Sequence, residues 1–187
     1  MRRYQITQWC QRMMEDHIEK GDLCIDATAG NGNDTLFLCE MVGKSGKVLA
    51  FDIQEEALLT TEKKLKESNF SERVQLILDS HINMEKYTTP ESANCIVFNF
   101  GYLPGGDHNL ATKADTSITA IKKGLKLLKK GGMMSLCIYS GGDSGFEERD
   151  AILKELKELD SKQYLVIVSS YYNRPNNPPI PAMIVKL

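Results

Sequence analysis

The sequence carries few of the features that announce a function at a glance. Its five cysteines, Cys10, Cys24, Cys39, Cys95 and Cys137, include no CxxC pair. Most sit in apolar runs, where a free thiol behaves as a small hydrophobe. An odd, scattered set argues against a disulfide framework or a zinc site, so no metal is expected, and it points to a reducing, cytoplasmic compartment. No apolar run approaches the roughly 18 residues of a membrane span, and no signal peptide is visible. Positive charge is not in excess either. With 23 Lys and Arg against 25 Asp and Glu, the net charge is -2. That removes a global basic field for nucleic acid but leaves room for a local patch. Repeats, low-complexity tracts and linkers are also missing. The 187 residues read as one domain over 1–187, long enough to bury a core.

What is present is an alternation of short apolar runs with helical patterns. Residues 5–20 place Ile6, Trp9 and Met13 at 3–4 spacing, as in an amphipathic helix. "LCIDA", "KVLAFDI", "RVQLILD", "ANCIVFNF", "MMSLCIY", "QYLVIVSSYYN" and "PAMIVKL" read as seven strands. Helices are expected over 33–42, 54–69 and "FEERDAILKELKEL", and over "DTSITAIKKGLKLLKKGG", with Asp115 or Thr116 as N-cap and Gly131-Gly132 as its end. Such alternation means βαβ units, a largely parallel sheet and helices on both faces. The last two strands are joined only by "NRPNNPPIP", too short and Pro-rich for a helix, so they should be antiparallel neighbours. A seven-stranded mixed sheet with an antiparallel C-terminal hairpin is a Rossmann-like α/β fold of the class I methyltransferase outline. If the last strand were exposed, it would let two chains pair into a homodimer.

The glycines of "DATAGNGNDT" follow the first strand, where open α/β sheets bind ligands. A dinucleotide fingerprint needs a third glycine, and position 35 is Thr. Asp34 would face a phosphate at the helix end meant to welcome it, and Asp26 adds a second acid. These acids suit the cationic groups of S-adenosylmethionine better than a pyrophosphate. A plain structural turn is the alternative. Asp52, twenty residues past Gly32, stands where an acid grips a ribose diol, or caps the helix after it. Asp79-Ser80-His81 follows the third strand, beside the expected adenine position, with capping and structural roles equally open.

After the fourth strand, Asn99-Phe100-Gly101-Tyr102 looks like the Asn-Pro-Pro-Tyr motif of amine methyltransferases with both prolines replaced. There, the Asn carbonyl accepts N–H bonds from the amine and the ring stacks on a base. A protonated alkylamine, with a pKa of about 10, is no nucleophile, so the site must desolvate it or take its proton. Asp107, His108, Tyr139 and Asp143 are candidate acceptors.

Taken together, "DATAGNGNDT", "FDIQ", "NFGYLPGGDH" and "YSGGDSGFEE" resemble one family: small bacterial class I methyltransferases that carry the label rRNA methylase. Its members are linked to 5-aminomethyl-2-thiouridine at the tRNA wobble position. The resemblance implies S-adenosylmethionine as cofactor, in a pocket of Asp26, Gly30, Asn31, Gly32, Asn33, Asp34, Asp52, Gln54, Ser80, His81 and Asn99. It implies that Tyr102, the Pro104–His108 loop and the Tyr139–Asp143 loop face the substrate, and that the anticodon region of tRNA is the partner. Lys122, Lys123, Lys126, Lys129, Lys130, Arg2, Arg3, Arg12, Arg174, Tyr171 and Tyr172 are candidate RNA contacts, against a solvated helix face or core strand residues. Ribosomal RNA or a small amine as substrate, and a non-catalytic or NAD-binding domain, are the competing readings.

Overall fold

The computed structural model describes residues 5–101, 112–140 and 143–187. The elements run α1 (Ile6–Glu15), β1 (Leu23–Asp26), α2 (Asn33–Val42), β2 (Lys47–Asp52), α3 (Glu55–Glu67), β3 (Val74–Leu78), β4 (Ala93–Phe100), α4 (Ala114–Leu127), β5 (Leu128–Ile138), α5 (Asp143–Glu158), β6 (Tyr164–Val168) and β7 (Ile180–Lys186). Short 3-10 turns fill Ser71–Arg73 and His81–Lys86. The seven strands form one sheet in the order β3-β2-β1-β4-β5-β7-β6. All neighbours are parallel except β7, which pairs antiparallel with both β5 and β6. The fold class read from the sequence is therefore the one observed, including the antiparallel ending.

The side-chain period of two divides the core into two layers. Cys95 and Val97 of β4 pack with Ile6, Cys10 and Met14 of α1 and Leu38 and Cys39 of α2. Ile96, Phe98 and Phe100 face Ile121 and Leu125 of α4 and Ile152 and Leu156 of α5. Asn99 continues the first row, so its side chain emerges on the α1–α2 side of the sheet. All five cysteines are free and buried. Among the described residues, no helix is long and apolar enough to cross a membrane.

Several boundaries differ from the sequence reading. The first helix ends at Glu15 rather than Lys20. A turn closed by His17 N–H to the Met14 carbonyl (2.9 Å) redirects the chain so that Ile18 is buried. Leu128 to Gly132 belong to β5, not to the end of α4, because Ala93 of β4 pairs with Leu128 across a bulge. Lys129 and Lys130 are thus strand residues, whereas Lys122 and Lys123 of α4 pair with Glu155 and Glu85. The helix expected from Phe146 already starts at Asp143. β6 stops at Val168, leaving Tyr171 and Tyr172 in the connection to β7. The last strand offers no free edge for pairing two chains: β7 lies inside the sheet and β6 is the edge.

Candidate functional site

A cavity of about 550 Å³ opens beyond the carboxyl ends of β1, β2 and β4, within the range of roughly 300–1,000 Å³ usual for small-molecule sites. The strand order reverses between β1 and β4, which makes this the switch point of the sheet.

One half of the cavity is built on the rims of β1, β2 and β3. Gly30 follows β1 with φ 51° and Gly32 with φ 75°, values that L side chains avoid. The Asp52 carboxylate accepts the Gly30 N–H and the Gln54 N–H, each at 2.9 Å. It is therefore fixed at the cavity edge by two backbone donors while its remaining lone pairs stay available. Lys64 of α3 steadies the loop by donating to the Asn31 carbonyl (2.6 Å) and Asn33 Oδ1 (3.1 Å). Past β3, Asp79 accepts from Ser80 N–H, Asn83 Nδ2 and the Tyr87 hydroxyl. These bonds, Asn83 first, hold its carboxyl below the ordinary range. Ser80 caps the following 3-10 turn through its Oγ, which accepts from the Ile82 N–H at 3.4 Å. His81 Nε2 is buried without a partner among the described residues. Burial pushes its pKa down, which leaves a neutral imidazole on the cavity wall.

The other half is built on β4, β5 and α1. The Asn99 N–H donates to Thr28 Oγ1 (2.7 Å), and Asn99 Nδ2 donates to Asp34 Oδ2 (2.8 Å). Gln11 of α1 reaches the same carboxylate, its Nε2 donating to Asp34 Oδ1 at 2.8 Å. Tyr139 also lines the wall, packed against Gly101. Burial, then the neighbouring Cys137 thiol, raises its phenol well above the ordinary tyrosine value. At the mouth, Gly101 and Thr112 hold each other. Thr112 Oγ1 accepts the Gly101 N–H (2.8 Å), and the Thr112 N–H donates to the Gly101 carbonyl (3.0 Å). Thr112 Oγ1 also donates to Glu148 Oε2 (2.9 Å), and Ser117 Oγ donates to Oε1 (2.5 Å). Burial raises the Glu148 pKa against these two bonds.

Of the residues singled out from the sequence, Gly30, Asn31, Asn33, Asp34 and Asp52 line this cavity, as do Gln54, Ser80, His81, Asn99 and Tyr139. Two others do not. Asp26 is fully buried beneath the loop, where it accepts from Thr35 Oγ1 (2.6 Å) and the Thr28 N–H (3.2 Å). Gly32 turns away from the cavity toward α3: a Cβ there would sit 2.7 Å from Thr61 Oγ1. Its role is close packing of the loop on the helix. Tyr102, Asp107 and His108 lie outside the described residues, as do Arg2, Arg3 and the side chain of Asp143. Thr28, Thr112, Gln11, Lys64 and Glu148 join the site without having been flagged by sequence. Among the described residues, no cluster of His, Cys, Asp or Glu is arranged for a metal.

Known proteins agree with this geometry. Residues 48–185 match the family described as "Putative rRNA methylase". The chain belongs to that family. It is 37% identical to an Arabidopsis thaliana protein named tRNA (mnm(5)s(2)U34)-methyltransferase, chloroplastic, over 94% of this chain and 68% of that one. A "putative rRNA-methylase" of Clostridium thermocellum superposes with a TM-score of 0.95 at 42% identity, covering 98% of both chains. A "putative methyltransferase" of Streptococcus mutans, solved in complex with SAH, superposes with a TM-score of 0.88 at 41% identity over 97% of each. The fold, the switch-point cavity and the family together make this chain a class I methyltransferase.

Proposed function

We propose that this methylase transfers a methyl group from S-adenosylmethionine to the aminomethyl nitrogen of 5-aminomethyl-2-thiouridine at the tRNA wobble position. The observation that carries the reading is Asn99, whose amide nitrogen is turned toward Asp34. Its carbonyl oxygen is thereby left for an N–H donor in the cavity. The name of the Arabidopsis relative supports the tRNA substrate, and the SAH in the Streptococcus neighbour supports the cofactor.

The residues present fit the cofactor. Asp52 offers a positioned carboxylate for a ribose diol, and His81 Nε2 is a buried polar atom in want of a partner. When bound, S-adenosylmethionine supplies an electrophilic methyl on a sulfonium. The protein's part is to hold the amine in line, and positioning of this kind accounts for much of the rate. Asn99 accepts one amine N–H and so aims the nitrogen lone pair. Tyr139, with its raised pKa, keeps its own proton and acts as a donor or a wall rather than as the base. The walls strip water from the ammonium and lower its pKa, so that it gives up one proton to solvent water before its freed lone pair attacks.

The test is incubation of the protein and labelled S-adenosylmethionine with bulk tRNA from a strain lacking it, followed by nucleoside mass spectrometry. Label in 5-methylaminomethyl-2-thiouridine is expected. The family description favours ribosomal RNA as a second reading. Label confined to ribosomal RNA in a parallel incubation would select it.

A further inference from the structure

We propose that Gln11 is a positioning residue for methyl transfer, acting through Asp34 on the Asn99 amide; this rests on the amine-methylating reading above. Gln11 lies on α1, one helical turn beyond Thr7, which lines the cavity. Gln11 itself is not part of that wall. It stands behind Asp34, which is 8% exposed at the first turn of α2. The carboxylate takes one amide donor on each oxygen, Gln11 Nε2 on Oδ1 and Asn99 Nδ2 on Oδ2, both at 2.8 Å.

The chemistry of the carboxylate makes this a directional device. An asparagine amide is nearly symmetric in shape, and only its hydrogen-bond partners decide which end faces where. An ionised carboxylate accepts and does not donate, so the Asn99 nitrogen must face Asp34 and its oxygen must face the cavity. A flipped amide would present two donors to an incoming amine that itself donates. Gln11 fixes the second carboxylate oxygen and thereby stops the group from rotating away from Asn99. The Asn99 backbone is pinned separately by Thr28, so Gln11 governs the amide and not the strand. These contacts span 23 and 65 residues of sequence. α1 also lies outside the segment that carries the family match.

The test uses the full chain with Gln11→Met, which keeps length and removes the donor, and Gln11→Glu, which sets a second carboxylate against Asp34. Gln11→Met should lower kcat on tRNA roughly tenfold, and Gln11→Glu further, because small misplacements of reacting groups are costly. Affinity for S-adenosylhomocysteine should stay within about twofold, since Gln11 is off the cavity wall. In an Asn99→Ala background, Gln11→Met should cause no additional loss, the non-additivity expected of residues in one chain. The Asn99 side-chain amide signals in a nitrogen-15 spectrum, identified by their loss in Asn99→Ala, should shift or broaden in Gln11→Met. Thermal melting reports how much of each variant is folded. Wild-type turnover and unchanged Asn99 signals in folded Gln11→Met would overturn the proposal, as would losses that simply multiply in the double variant. Absence of tRNA methylation by the wild-type protein would instead sink the functional reading, a result that the amide signals do not depend on.

Discussion

The two halves of the cavity are made in different ways. The half on β1–β3 is built within consecutive βαβ units. Its cavity groups sit at the ends of neighbouring strands or in the first turns after them, and the helix between, α3, braces the loop through Thr61 and Lys64. The Asp52 carboxylate is held by the Gly30 and Gln54 N–H groups, and the Ser80 hydroxyl by the Ile82 N–H in its own turn. The half on β4–β5 is assembled from distant segments. Asn99 owes its orientation to α2 and α1, and Gly101 is tied through Thr112 to Glu148 of α5. A local site tolerates change elsewhere in the fold, whereas an assembled site depends on how the layers pack. Substitutions in the first half should therefore act on affinity, and those in the second on turnover.

The largest effect is expected at Asp52. Asp52→Ala removes a carboxylate placed for two hydroxyls, and charge-assisted bonds contribute about 1.5–3 kcal/mol each. It also frees the Gly30 and Gln54 N–H groups. Calorimetry with S-adenosylhomocysteine should show affinity falling by about a hundredfold or more. Near-wild-type affinity in a folded variant would take Asp52 out of the cofactor half.

Asn99→Ala is the matching probe of the assembled half. The backbone bond to Thr28 survives, so the strand stays in place. Turnover should fall by roughly two orders of magnitude, as for a reacting group left unaligned, with a much smaller change in cofactor affinity. Equal losses in both quantities would dissolve the distinction between the halves.

That distinction also explains what the sequence discloses. The seven strands, their antiparallel ending and the switch-point loop are legible because period-two alternation and glycine spacing are local signals. Asp52 is legible because its distance from Gly32 is set by one βαβ unit. Gln11 and Glu148 are not: each is an ordinary polar residue on an amphipathic helix, and only packing shows what it meets. Asp26 and Gly32 mislead for the converse reason. A glycine required by contact with Thr61 looks in sequence like one required by a ligand.

Asp26 sharpens the comparison through pH. Burial first, and the nearby Asp34 charge second, push its pKa from 3.8 up to about 7. The folded protein thus keeps a proton that the unfolded chain loses near pH 4. Stability from this group is fully present below about pH 4 and declines as pH rises toward 7, since the folded state then binds more protons than the unfolded. Asp26→Asn, neutral throughout, should flatten that slope in denaturant titrations across this window. At low pH it should cost little, because the amide and the protonated acid each offer one carbonyl oxygen to the Thr28 N–H and one donor to the Thr35 hydroxyl. An unchanged slope would show that Asp26 is not the group responsible.

The smallest effect is expected at Lys64, and it tests how separable the halves are. Its ammonium bonds the Asn31 carbonyl and the Asn33 side chain, but the loop has other supports. Gly32 N–H donates to the Ala29 carbonyl at 2.7 Å, and Thr61 Oγ1 donates to the Gly30 carbonyl at 3.1 Å. Lys64 is also partly exposed, so water replaces part of what Lys64→Met removes. A loss of about 1 kcal/mol, or roughly fivefold in affinity for S-adenosylhomocysteine, is expected. Turnover at saturating cofactor should not change. Asn33 is, however, the neighbour of Asp34, the residue on which the Asn99 amide leans. A fall in turnover as large as the fall in affinity would therefore mean that disorder in the loop passes through residues 33 and 34 into the acceptor half, and that the two halves work as one unit.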